Sequence, residues 1–400
     1  MAVARTAARQ PLRVSAHGSA AFDLADAPAA AAPAALSTPR AGRLRFVDVA
    51  KGMSIVLVAF GHSHLVPMND LAAEANRVLG LVRMPFFFFL SGLFFRPSKP
   101  FGILAREKSD SLLKPYLVTL GLVGLVRVLT AGASPAAQGA RVLYGVGTSI
   151  DMPWAPLWYL AHLWLVFPCA WVLVRGAAAM RLPRGIRGVL LAASFLVGLS
   201  CLHLFRDLPI VVGGLHAPLS GLPFSLDALG ITTTYFLLGF ALRERVSRFR
   251  PNLTLVAALL LVFVAVDGVF HPRLDINHRI ADPPLAAAAC SLIGIYLGLC
   301  AAHVVSATGR LGTAFAFFGF HSLFVLIFHS YFEARCRELL SAVVAPPPGL
   351  GTAATAYLAS VFLAAGIGVV IRRSAFLSAL YLRRARGRSA DGAALAPRPL

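Results

Sequence analysis

The chain has 400 residues, 58% of them hydrophobic and only 14% charged, and its mean hydropathy is +0.74. A soluble domain carries about 25% charged residues, so this chain lacks the polar surface that a soluble protein of its length needs. The formal net charge of +20 would point to nucleic acid in a soluble protein. Here no aromatic-basic RNA motif or groove-reading helix accompanies it, and nucleic acid is not expected as a partner.

Residues 1–44 are rich in Ala, with Pro and scattered Arg, and contain no continuous apolar run. No cleavable signal peptide is expected without such a run, and the stretch reads as a disordered cytoplasmic tail. Between 45 and 382 apolar segments of bilayer-crossing length recur. They predict spans near 46–66, 76–95, 112–130, 156–174, 186–205, 224–242, 253–271, 284–305, 311–331 and 352–371. Segment 208–219 is apolar but short and broken by Gly and Pro, which predicts a re-entrant or interfacial piece. Residues 383–400 form a second basic tail, also expected to be disordered. The expected fold is all-α, a polytopic transmembrane bundle of about ten helices. The five cysteines, Cys169, Cys201, Cys290, Cys300 and Cys336, are scattered without a CxxC pair and read as small apolar residues.

Charge in the connecting loops gives a direction. One set is basic: Arg96 to Lys114, Arg175 to Arg187, Arg243 to Arg250, then Arg310 and the C-terminal run. The alternate loops mix signs, as in Asp70, Glu74 and Arg77 or in Arg273, Asp275, Arg279 and Asp282. The positive-inside rule then places both termini and the basic loops in the cytoplasm. There the arginines are also expected to meet anionic lipid headgroups.

Ionisable groups inside spans are costly and mark function by default. In the first span Asp48, Lys51, Ile55, Val58 and His62 follow at spacings of three or four, which puts them on one helical face. Lys51 and His62 are eleven residues apart, about 16 Å along the axis. An intrahelical ion pair of Asp48 with Lys51, and a helix-packing role for His62, are the structural alternatives. Arg83 in the second span needs an anionic partner, and Asp227 or Glu333 is the expected one. The four phenylalanines 86–89 are expected to be lipid-facing and core bulk, and Ser91-Gly92 a notch for close helix approach. Arg127, Trp158, Tyr159, His162, Asp227, His321, His329 and Glu333 fall in the outer parts of their spans and with His62 are expected to line one outer cavity. His321 and His329 would share a helix face. No HxxxH or HExxH pair occurs, and no metal is expected.

Six blocks, RFVDVAKGMSIVLVAFGH, RMPFFFFLSGLFF, LLKPY, PLWYLAHLWL, FLLGF and FGFHSLFVLIFHSY, resemble in order those of the acyltransferase-3 family of membrane O-acyltransferases. The likeness covers about 44–380 and is nearest to the fucose 4-O-acetylase-like branch. It implies transfer of an acyl group, usually acetyl from cytoplasmic acetyl-CoA, to hydroxyls of surface or lipid-linked glycans, in a bacterial inner membrane. The family's basic residue, ten positions and histidine are met by Lys51 and His62, so a catalytic role comes to His62. The family's arginine-two residues-arginine motif is not met: Ser109 and Leu112 stand there. This leaves Arg106, Lys108 and Lys114 as candidates for the CoA phosphates.

The chemistry needs a base for the sugar hydroxyl, which a neutral histidine supplies, and a cation or donor for the developing oxyanion, for which Arg83 is the candidate. Asp48 and Lys51 complete the expected catalytic set. Trp158, His162, Asp227, His329 and Glu333 are the expected acceptor-binding residues. A secondary transporter using Lys51, Arg83 and the histidines is the competing class, although no internal repeat with matched broken helices is found. A succinyltransferase of periplasmic glucans is a further alternative, because spacing does not define the donor pocket.

Overall fold

A computed structural model describes residues 45–212, 215–343 and 349–383. The expected tails, 1–44 and 383–400, lie outside these residues, with the exception of Arg383. That residue is tied to the bundle, its guanidinium donating to Glu107 at 3.1 Å.

The chain begins with α1 (Arg45–Gly61), a short α2 (Leu65–Met68) and α3 (Asp70–Gly92). Next, α4 (Phe101–Lys108) passes through a π-helical turn, Ser109–Leu113, into α5 (Lys114–Ala131). A short α6 (Pro135–Tyr144) precedes α7 (Trp158–Ala179) and α8 (Arg184–Cys201). A hairpin of β1 (Leu208–Val212) and β2 (Leu215–Leu219) leads to a 3-10 turn, Pro223–Ala228, and α9 (Leu229–Ser247). After α10 (Leu253–Phe270) comes a second hairpin, β3 (Arg273–Asp275) and β4 (Ile280–Asp282). The rest is α11 (Pro284–Ala307), α12 (Gly309–Phe320), α13 (Ser322–Val343), α14 (Leu350–Arg373) and α15 (Ala375–Tyr381).

All ten predicted spans fall on helices, and the architecture is an all-α polytopic bundle. By length and composition, seven of the described helical stretches are able to cross a membrane, or eight if α12 and α13 count as one broken span. The other two predicted spans, α1 and α3, are not apolar throughout. The first has 17 residues and includes Asp48 and Lys51, and the second carries Glu74, Arg77 and Arg83. Such helices are tolerated where neighbours cover them, and α1 buries nine residues from Phe46 to Ala59. By contrast α10, with a single buried residue, Phe263, turns Leu260, Leu261 and Val264 outward, as a lipid-facing helix does.

Two predictions are corrected. The span near 311–331 is not continuous: α12 and α13 meet at 89°, with His321 at the break (φ −98°, ψ 12°). No proline marks this bend, so apolar periodicity ran straight through it. Segment 208–219 is a β-hairpin with Leu208 opposite Leu219. Antiparallel pairing satisfies its backbone groups with each other and returns the chain to the end it left.

The predicted notch at Gly92 is a true close crossing. A Cβ there would lie 1.8 Å from the Phe236 carbonyl oxygen, and one at Gly239 2.0 Å from that of Phe89, so α3 and α9 touch backbone to backbone. Helices α1 and α12 do the same, with Gly52 against Phe315 and Gly319 against Asp48. Of the four phenylalanines, Phe86, Phe88 and Phe89 are core residues, not lipid-facing ones. The basic segments gather at the Lys51 end. There Arg45 donates to Thr313 Oγ1 at 3.0 Å, Phe46 stacks on Phe249, and Lys114 reaches the Ala379 carbonyl.

Candidate active site

Helix α1 stops at Gly61, one residue before His62, and the backbone turns through 62–64 into α2. The turn is held from α13. His64 donates through its backbone N–H to Glu333 Oε1 at 3.1 Å, and its Nδ1 lies 3.0 Å from Oε2. One turn earlier on α13, the ring of His329 lies 5.6 Å, centroid to centroid, from that of His62. His329 Nδ1 donates to the Val325 carbonyl at 2.7 Å, and its buried Nε2 makes no hydrogen bond among the described residues.

Arg83 enters from α3. Its guanidinium covers Gly61, where a Cβ would lie 1.8 Å from Nη1, and donates to Asn76 Oδ1. This sets a cation at the C-terminus of α1, where unpaired carbonyls and the helix dipole favour it. The expected acid partners of Arg83 are therefore corrected: Glu333 holds His64, and Asp227 holds Arg279. The β3–β4 hairpin packs on the same corner, its Leu274 carbonyl 3.5 Å from a Cβ placed at Gly80. Asp275, His278, Arg83 and His329 are the charged or titratable groups within electrostatic reach of His62.

Other expected site residues lie elsewhere. His162 is fully buried, with Nδ1 2.9 Å from the Phe224 carbonyl and Nε2 2.8 Å from Thr232 Oγ1. Both nitrogens are thus engaged, Nδ1 with the 3-10 turn, where Phe224 and Ser225 have positive φ, 52° and 59°, and Nε2 with α9. Trp158 is buried against the His162 ring. Asp227 receives Arg279 Nε at 2.8 Å and Nη2 at 2.9 Å, and both side chains are fully enclosed. These three brace the bundle; the structure does not bring them to His62. His321 packs on Phe317 and α14, at the break rather than on the face of His329. Arg127 shares Asp151 with Arg141 beside a cavity of about 20 Å³, room for one water and no sugar.

At the opposite end of α1, Lys51 Nζ sits 3.9 Å from the centre of the Phe94 ring. Lys108 Nζ sits 3.8 Å from that of Phe167, within electrostatic reach of Lys51, Lys99 and Glu107. Arg106 is exposed. Lys114 instead caps the last turn of α15, donating to the carbonyls of Ala379 and Leu382, which removes it from the donor-binding candidates. The Asp48 carbonyl is the contact of Gly319. The π-helical turn holds Ser109 and Leu112, and Trp164 Nε1 donates to Ser109 Oγ at 3.0 Å. Such turns in α-helices often occur at functional sites.

Sequence reading missed His64, Asp275 and His278. The last two form a local pair at 2.9 Å, for which the i,i+3 spacing was the available signal. The pair titrates in opposite senses. Hydrogen bonding to Asp275 raises the His278 imidazole. Partial burial pushes the Asp275 carboxyl up, but the hydrogen bond and charge of His278 outweigh it and hold the group at about 2. Stability from a raised histidine is present below its unfolded value of about 6.5 and fades as pH rises through the folded one. Stability from a depressed carboxyl is present above about 3.9 and fades towards 2. Amide protection factors in 273–282, which divide out the intrinsic pH dependence of exchange, are therefore expected to be highest between about pH 4 and 6.5 and to fall on either side. In His278→Ala the alkaline limb should vanish; an unchanged profile would refute the pairing.

Among the described residues no three His, Cys, Asp or Glu side chains are grouped to hold a metal ion. The acyltransferase-3 family model, an acyltransferase domain, matches residues 44–373. No curated protein matches the chain. The matched stretch takes in the whole described bundle up to the end of α14 and both ends of α1, so the chain belongs to the acyltransferase-3 family and is a multi-pass membrane O-acyltransferase.

Proposed function

We propose that the protein moves an acetyl group from cytoplasmic acetyl-CoA to a sugar hydroxyl of a glycan on the other side of a bacterial inner membrane, with His62 as the general base. The observation that carries this reading is the grouping of His62, His329 and Arg83 at one end of α1, with Lys51 and Lys108 at the other. The basic segments gather at the Lys51 end, so that end faces the cytoplasm by the positive-inside rule and meets anionic headgroups there. Arg106, Lys108 and Lys51 supply cations for the donor's phosphates. The family assignment favours transfer over transport.

In the reaction, His62 takes the hydroxyl proton as the sugar oxygen attacks the thioester carbon. The carbon–oxygen bond forms, the carbon–sulfur bond breaks, and the proton passes from His62 to the departing thiolate. Negative charge on the former carbonyl oxygen is met by Arg83, already fixed by Asn76 and the end of α1.

The test uses sealed membranes containing the protein and acetyl-labelled donor. Label should pass to glycan on the far face; transfer from succinyl-CoA alone, or no transfer with either donor, would overturn the acetyl reading. Lys108→Ala should raise KM for the donor by about 10- to 100-fold through loss of a charge-assisted contact, with kcat at saturating donor unchanged. An unchanged KM would remove Lys108 from the donor site.

A further inference from the structure

We propose that His329 is the positioning residue of His62: its Nε2 accepts the N–H of one His62 ring nitrogen and so keeps the other unprotonated towards the acceptor. The inference rests on the reading of His62 as the base.

A neutral imidazole has two tautomers, and only the one with its lone pair towards the hydroxyl is a base in that direction. An acid–base histidine therefore works best when a neighbour fixes the proton on its far nitrogen. His329 is built for this. Its Nδ1 donates to the Val325 carbonyl at 2.7 Å and lies 3.2 Å from that of Leu326, so the proton is on Nδ1 and Nε2 carries a lone pair. That Nε2 is buried and has no partner among the described residues, although buried polar atoms are nearly always satisfied. The ring of His62 is 5.6 Å from that of His329, centroid to centroid, and tilted by 50°. Catalytic hydrogen bonds often tighten only when substrate binds.

The arrangement has a parallel on the same helix face. Glu333, four residues on, grips His64, two residues after His62. Thus α13 holds the 62–64 turn twice, by its backbone and imidazole at His64 and by its ring at His62. The charged and titratable groups around His62 are Arg83 from α3, Asp275 and His278 from the β3–β4 hairpin, His329 and Glu333 from α13, and His64 in the turn itself. Of these, His329 is the one in ring contact with His62.

The test measures kcat, KM for donor and acceptor, and the pH dependence of kcat in membranes holding the full chain. His329→Phe keeps a ring but removes the acceptor, and should lower kcat by about 100-fold with both KM values near wild type. His329→Gln restores an acceptor and should recover most of the loss. Because the two rings titrate as a coupled pair and both must be neutral, the acid limb of the wild type should steepen from a one-proton to a two-proton slope as pH falls, whereas that of His329→Gln should keep a one-proton slope. Should His329→Phe fail to accumulate, the slope of His329→Gln decides. Wild-type kcat in His329→Phe, equal loss in the Phe and Gln variants at equal yield, or an unchanged slope would each overturn the proposal. Full transfer by His62→Ala would instead refute the underlying assignment of the base.

Discussion

Replacing His62 with alanine is expected to lower kcat by about 10²- to 10⁴-fold, the range of a lost general acid–base contribution. The protein should still fold. The His62 backbone N–H donates to the Ala59 carbonyl at 3.2 Å, a bond that alanine keeps, and the ring is only half-buried. The change in stability should therefore stay within about 1 kcal/mol. Loss of turnover at unchanged melting temperature separates a base from a packing histidine, which was the competing reading of this residue. Arg83→Met is the companion variant, and it too should act on kcat, because a cation aimed at developing charge works in the transition state. Full transfer by His62→Ala would remove the residue from the chemistry.

Breaking the Asp227–Arg279 pair is expected to have the largest effect on stability. Both side chains are fully enclosed, and Asp227 Oδ1 also accepts the Leu222 N–H at 2.8 Å. The guanidinium lies over Gly221, where a Cβ would come within 1.6 Å of Nη2, and donates to the Asn277 carbonyl at 2.7 Å. Asp227→Ala leaves this cation buried without its counter-charge, a loss of about 3–5 kcal/mol. The double variant Asp227→Leu, Arg279→Leu removes both charges and should be less destabilised than Asp227→Ala alone. Thermal unfolding in detergent reads the difference. A double variant no more stable than the single would mean that hydrogen bonds to the backbone, not the missing counter-charge, dominate. Because Arg279 anchors the hairpin carrying Asp275 and His278, Asp227→Ala should also impair the His62 corner, a route to lost activity that requires no contact between Asp227 and acceptor.

The contrast between His62 and Asp227 shows what depth along a span conveys. Both were placed in the outer region by hydropathy, and both were read as lining one cavity. Depth is one coordinate out of three, and the direction in which a helix presents a residue depends on which neighbour it crosses. Glycines fix those crossings here. Gly92 and Gly239 bring α3 and α9 into backbone contact, and Gly52 and Gly319 do so for α1 and α12. The α3–α9 contact sits beside the buried aromatic cluster of Phe95, Phe167 and Phe236, with His162 and Trp158 in the same interior. The bend between α12 and α13 lets α12 lie on α1 while α13 presents His329 and Glu333 to the 62–64 turn.

By itself the sequence determined the membrane class, the ten helical positions, the two ends of α1 and the basic-mixed alternation of loops. These follow from quantities local to the chain: apolar length against bilayer thickness, residue spacing against helical pitch, and charge near span ends. The motif pair Lys51 and His62 was legible for the same reason, since both lie in one apolar segment, although α1 itself ends at Gly61 and leaves His62 in the turn that follows. The partners of each charge were decided only by the tertiary structure. Glu333 went to His64, Asp227 to Arg279, Lys114 to the end of α15, and Arg83 to the end of α1. Each pairing joins residues far apart in sequence, and a buried ion takes whichever counter-charge, dipole or carbonyl the packing brings within reach. The 89° break at His321 belongs with them: no proline or glycine pair announces it, and it is the contacts of α12 with α1 and of α13 with α14 that fold the chain there.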